Sequence, residues 1–307
     1  MRMLSSVLML TIGAPAMAQV VFLDGFEPGT LTVVETPALV VQPGNAATRC
    51  YHFRAPDTPR AVRRIVSSAD AIVAHLIVYA TYDNAGLPTE TAPPGTVSDC
   101  TAARAASTGW LHVAHDPVAE TVLPSDDGND GRLAFSLGAN QPLVIQVRLP
   151  AGSQTSVSGA AAVTFEYWNS ALPVTPTASY VLNNVLIQIP PDTAAHTVSA
   201  TCPVPQNVHF WRFTTRTHRY GIATRIADGA QIIVEGTDWE HPPIAEFDTP
   251  PFYTFANNIG YRCTFQNPTN RSITFGDDED NDETCLGVAW FFPAMRPLTC
   301  LANNGPF

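Results

Sequence analysis

"LVIQVRL", residues Leu143 to Leu149, alternates between two kinds of side chain. Strand side chains point to opposite faces in turn, so Leu143, Ile145, Val147 and Leu149 share an apolar face and Val144, Gln146 and Arg148 share the other. "FWRFTTRTH", Phe210 to His218, reads the same way. Trp211, Phe213, Thr215 and Thr217 lie opposite Phe210, Arg212, Thr214, Arg216 and His218. This period predicts strands, with Arg148 on one outward face and Arg216 and His218 on another. Outward faces of sandwiches are ordinarily solvated.

Short apolar runs of the same kind recur between turn signals: "ALVVQPGN", "RCYHFRAP", "AHLIVYATYDNAG", "RLAFSLGANQ", "AAVTFEYW" and "SYVLNNVLIQIPPD". That spacing belongs to β-sandwiches rather than to alternating strands and helices. No stretch sustains a helical period. Only 14% of residues are charged, while 27 prolines and 19 glycines supply turns, as in an all-β chain. "IPPDTAAH", Ile189 to His196, marks the expected boundary between two β-rich halves.

The first eighteen residues read as a signal peptide, with Arg2, an apolar run from Leu4 and a small-x-small site at Ala16-Met17-Ala18. The expected organisation is a leader over 1–18, an N-terminal arm over 19–34 containing "FLDGFEPG", and sandwiches over 35–190 and 195–303. A secreted or periplasmic location follows. No run is long enough to span a membrane. The net charge is −11 and all sixteen basic residues are arginine, which argues against nucleic acid and anionic membranes as partners. The six cysteines, an even number in an oxidising compartment, read as three disulfides; no zinc or redox spacing is present.

Taken together, "FTTRTHRYG", "GTDWEHPP", "PPFYTF", "YRCTFQNP", "ITFGDDEDNDETC" and "FFPAMRPLTC", with "RCYHFRAP", "AHLIVYA" and "PLVIQVRLP" before them, resemble the secreted copper type II, ascorbate-dependent monooxygenases. That group includes peptidylglycine α-hydroxylating and dopamine β-monooxygenases and their bacterial secreted relatives. The resemblance runs from about Cys50 to Cys300 and implies two tandem jelly-roll β-sandwich domains stabilised by disulfides, facing each other across a water-filled cleft. In working members three histidines hold one copper, and two histidines and a methionine hold the other. By position the resemblance also implies the pairs Cys50–Cys100, Cys202–Cys300 and Cys263–Cys285.

Carried over residue by residue, the ligand set is not kept. The first copper's positions fall on Ala74, His75 and Arg148, and the second copper's on Arg216, His218 and Thr284. Two ligands of six remain, His75 and His218, as remnants. Each site has gained an arginine, which has no lone pair to donate and repels a cation. The positions matching the family's substrate contacts, Thr214, Leu286 and Val288, are not of the expected kinds. The leading expectation is a non-catalytic binding or structural module without a cofactor, whose interdomain cleft takes an unidentified small molecule or peptide. In that cleft Arg148 and Arg216 can pair with a carboxylate.

Two other classes stay open at this point. The first is an active copper monooxygenase using His75, His112, His115 and His218. The second is a hydrolase or a calcium-dependent adhesin, with Asp278, Asp280 and Asp282 of "GDDEDNDE" as oxygen ligands. That acidic run, "SDDGNDG" (125–131) and the turn with Asp238, Glu240 and His241 are otherwise expected to be solvated or structural. No Ser-His-Asp order or nucleophile elbow is visible.

Overall fold

The computed structural model describes residues 19–21 and 31–301, apart from 44, 84, 101–106, 151–154 and 170–172. The expected leader and "FLDGFEPG" lie outside the described residues. Among those described there is no α-helix; the chain is two tandem jelly-roll β-sandwiches. In the first, a sheet with Leu31–Glu35, Ala161–Tyr167, Arg60–Ala69 and Arg132–Leu137 packs on a second sheet. The second sheet runs Val97–Ser98, Ala47–Arg54, Pro142–Leu149, His75–Tyr82, Ser107–Ala114. In the second sandwich, Ile244–Glu246, His209–Arg216, Leu286–Phe292, Ala178–Asn183 and Leu298–Leu301 form one sheet. Thr193–Cys202, Ile259–Asn267, Gly221–Asp228 and Gln231–Gly236 form the other. The hairpin between the last two turns at Gly229, whose φ of +57° is the left-handed conformation that glycine adopts without strain.

Disulfides join Cys50 to Cys100, Cys202 to Cys300 and Cys263 to Cys285, one in the first sandwich and two in the second. No helix among the described residues is long and apolar enough to cross a membrane.

The boundary falls earlier than the sequence implies. Val174–Pro176 still pairs with Arg132–Leu137 of the first sandwich, whereas Ala178–Asn183 already pairs with Leu286–Phe292 and Leu298–Leu301 of the second. Thr177 is the crossover. Its N–H donates to the carbonyl of Ala134, its hydroxyl donates to the carbonyl of Phe291, and Trp211 Nε1 donates to that hydroxyl at 2.8 Å. Residues 189–196 lie inside the second sandwich, where Gln188–Ile189 pairs with Ile273–Thr274. The proline pair there makes a turn between strands, which locally looks like a linker. The expected arm is also shortened, because Leu31–Glu35 is a full strand of the first sheet with Val34 buried.

The two sandwiches share a core. Val181, Trp211, Val288, Trp290 and Phe292 of the second pack into the same buried cluster as Val144, Ile77 and Trp110 of the first. Trp290 Nε1 donates to the Trp110 carbonyl and the Trp110 N–H donates to Ser179 Oγ, each at 2.8 Å. The strand Pro142–Leu149 is therefore covered on both faces: Gln146 and Arg148 are buried, as are the apolar residues on either side of them. The expected solvated face is instead covered by the second sandwich.

A bulge corrects the other alternation. His209–Arg216 slips by one residue against Leu286–Phe292 between Phe210 and Arg212. Phe210 and Phe213 consequently both enter the second core, and Trp211 turns to the shared one. From Arg212 onward the strict period resumes, and the face carrying Thr214 and Arg216 meets the first sandwich.

Candidate functional site at the junction of the two sandwiches

His75 begins the strand His75–Tyr82 and stands opposite Arg148 in the neighbouring strand. Ala74 precedes it, its N–H bonded to the Arg148 carbonyl. From the second sandwich, Arg216 ends the strand His209–Arg216 and His218 follows in the turn to Gly221. His75, Arg148, Arg216 and His218 are each at most 9% exposed. The positions expected on two separate solvated faces are thus buried at one junction.

The group that joins them is Glu279, from the acidic loop 276–283. Its Oε2 lies 3.1 Å from Arg148 Nε, and Arg216 Nη2 donates to its Oε1. Arg216 Nη2 also lies 3.1 Å from His75 Nε2, which in turn is 3.6 Å from Glu279 Oε1. A guanidinium only donates, so His75 Nε2 accepts and its proton sits on Nδ1. Burial, then the charges of Arg216, His115, Arg148 and His218, hold the His75 pKa well below 6.5. The neighbouring Asp280 bonds Arg148 Nη2 at 3.1 Å and lies 3.6 Å from Arg219.

His218 is turned into the same loop. Its Nδ1 donates to the Asp282 carbonyl at 3.1 Å, and its N–H donates to Glu283 Oε2 at 2.9 Å. Glu283 is fully buried and also accepts from the N–H groups of Tyr220 and Thr284. Burial raises its pKa to about 7, with the backbone donors opposing that rise. Thr284, at the expected methionine position, is 5% exposed and lines the junction.

The acidic loop is therefore not simply a solvated loop, because Glu279 and Glu283 are both buried. Asp278 and Asp280 are engaged with the chain itself. Asp278 accepts from the N–H of Asp280 and from Asn281 Nδ2, which leaves the loop turned on itself. In "SDDGNDG", Asp127 likewise accepts the N–H groups of Asn129 and Gly131. Asp238 caps its own turn, accepting from the N–H groups of Glu240 and His241. Among the described residues, no group of three or more His, Cys, Asp or Glu is placed to hold a metal ion.

His112 and His115 separate. His112 is fully buried in the first sandwich, with Nδ1 bonded to Thr121 Oγ1 and Nε2 to Ser67 Oγ, each at 2.9 Å. Both ring nitrogens are thereby used. His115 instead faces the junction, its ring 6.0 Å from that of His75. Thr214 donates to the Pro243 carbonyl at 2.9 Å and Val288 is fully buried, so neither is presented to a ligand; Leu286 does line the junction.

Two cavities flank the Arg216–Glu279 contact. One, of about 400 Å³, is lined by Tyr79, Trp110, Gln146, His218, Thr284 and Leu286 among others. The second, of about 280 Å³, is lined by Ala74, His75, His115, Trp239, Glu240 and His241. Arg216 and Glu279 line both. Sequence reading singled out the aspartates of the loop and missed Glu279 and Glu283. The available signal was charge: two arginines expected on facing surfaces, and one dense acidic run.

The protonation states give a pH prediction. Burial, followed by a nearby arginine, lowers His112 and His115 from 6.5 to about 3. Below pH 6.5 the unfolded chain then binds more protons than the folded one, so stability falls as pH falls toward 3. Glu283, raised from 4.5 to about 7, acts oppositely, its contribution being lost as pH rises through 7. With His75 also depressed, the histidines outweigh the single glutamate between pH 4.5 and 6.5. Thermal melting should show Tm falling steadily from pH 6.5 to pH 4.5; a flat or rising Tm would contradict neutral buried imidazoles.

The site defines a two-sandwich β protein whose junction is closed by an arginine–carboxylate contact. No protein-family model matches the chain, and no curated protein matches it. Among solved structures it is similar to PNGase F, a glycosylasparaginase from Flavobacterium meningosepticum. That match has 12% identity and a TM-score of 0.41, covering 89% of this chain and 99% of the other. It is also similar to the major capsid protein P2 of bacteriophage PM2, at 8% identity and a TM-score of 0.38, covering 85% and 97%. Neither likeness brings an activity to this chain.

Proposed function

We propose that this is a secreted protein of copper-monooxygenase-like fold with degenerate copper sites, acting as a non-catalytic binding or structural module. The observation that carries the proposal is the contact of Glu279 with Arg148 and Arg216. Both expected metal sites contain a guanidinium, Glu279 bridges the pair, and Asp280 adds a second negative charge at Arg148. Copper cycling between its two oxidation states needs imidazole or thioether donors and an open position for oxygen. Here the His75 Nε2 lone pair is already used, accepting from Arg216. Losing even supporting hydrogen bonds around a metal costs about 10–100-fold in affinity, and each site lacks two direct ligands. Secretion is supported by the leader-like start of the sequence and by three disulfides.

Oxygen uptake tests the reading. With ascorbate and added copper, the protein should consume oxygen no faster than the same copper in buffer. Uptake above that control, abolished by His75→Ala or His218→Ala, would establish a working enzyme and sink the proposal.

A further inference from the structure

Two guanidinium groups on the strand framework converge on one side chain that comes from a loop. Arg148 and His75 belong to the first sandwich and Arg216 to the second; both arginines address the carboxylate of Glu279, and His75 accepts from Arg216 beside it. The host groups are rigidly placed: His75 and Arg148 are cross-strand neighbours, and Arg216 ends a central strand. The guest is tethered only through its loop, which closes where Phe275 bridges Glu283. Space exists on both sides of the carboxylate, about 400 Å³ and about 280 Å³, and Arg216 and Glu279 separate the two cavities. Shortening Glu279 to a methyl group would open space beside Arg216, which lines both cavities.

We propose that Arg148 and Arg216, the latter oriented by His75, constitute a carboxylate-binding site that the chain fills with its own Glu279, and that a small external carboxylate enters it once the Glu279 side chain is gone. Two guanidinium groups address different oxygens of one carboxylate, an arrangement suited to carboxylate recognition. An imidazole accepting from one guanidinium fixes where that guanidinium points. Charge also limits the ligand. Asp280 already engages Arg148 and lies near Arg219, so one added negative charge restores the balance that Glu279 provides. The uncharged body of such a ligand would lie along Tyr79 and Trp110. The assignment rests on the metal-free reading, because a metal at His75 would compete for the Nε2 lone pair.

The test is rescue of Glu279→Ala by acetate, read as thermal melting against equal concentrations of chloride. The variant should melt below the wild type, and acetate should raise its Tm saturably by about 3 °C or more, as a ligand bound only by the folded state does. The wild type, whose site is filled, and the double variant E279A/R148Q should not respond. Absence of rescue in folded E279A, or an equal acetate effect on the wild type, overturns the site. If E279A does not fold alone, refolding with acetate replaces melting: recovery supports the site, and no recovery at any acetate concentration overturns it. Copper counted on the wild type is a separate readout, so failure of this inference is distinguishable from failure of the metal-free reading.

Discussion

Glu279→Ala is expected to lower folding stability by about 3–5 kcal/mol, the usual consequence of removing one partner from a buried ion pair. The cost comes less from the lost attraction than from what remains. Arg148 and Arg216, both under 10% exposed, would face each other across the junction with their shared counter-charge gone. Asp280 partly compensates Arg148. A triple variant, Arg148→Met, Arg216→Met and Glu279→Leu, should recover much of the loss, because no buried charge is then left uncompensated. Guanidinium unfolding of the three proteins measures both effects. If E279A were as stable as the wild type, Glu279 would not be holding the junction.

Trp290→Ala should have a comparable effect for a different reason. The indole is 1% exposed, lies against Trp211 with ring centroids 6.3 Å apart, and has the Arg212 guanidinium over its face at 5.7 Å. Truncating a buried tryptophan costs about 3–5 kcal/mol. The Trp110 carbonyl would also lose its donor, and an unsatisfied buried acceptor costs about 1–3 kcal/mol. Because Trp290 belongs to the core shared by both sandwiches, the loss should appear in one unfolding transition reported by probes in either half. Met295→Ala, at a residue 92% exposed, serves as the comparison and should stay within about 0.5 kcal/mol of the wild type. Two separate transitions in the wild type would contradict a common core.

Much of the architecture is legible locally. The period-2 pattern of Leu143–Leu149 gives a strand with Arg148 opposite the leucines, and that is how the strand lies. What escapes local reading is decided by partners distant in sequence. Arg148 is met by a loop that lies 132 residues downstream at Asp280, and nothing in "LVIQVRL" encodes that event. "SYVLNN" reads as a strand but not as a member of the second sandwich, since strand patterns do not name their sheet. The bulge after Phe210 is similarly silent: one extra residue shifts a face without changing the composition of the segment. The site shows the same division. His75 and Arg148, expected on one solvated face, and Arg216, His218 and Thr284, expected on another, meet at one buried junction, while Glu279 is hidden in an acidic run whose composition suggests solvent.

At the junction a single loop carboxylate, Glu279, bridges an arginine from each sandwich. Arginine keeps a positive charge where the resemblance implies copper, and Glu279 supplies the counter-charge that buried arginines require. A bridge of this kind ties the two sandwiches together at their junction.

The most direct test of that account is copper counted on the protein after titration and dialysis, under both oxidising and reducing conditions. The account predicts folded protein with no stoichiometric copper in either condition. Two coppers per chain, retained at submicromolar free metal and lost on replacing His75 and His218, would contradict it.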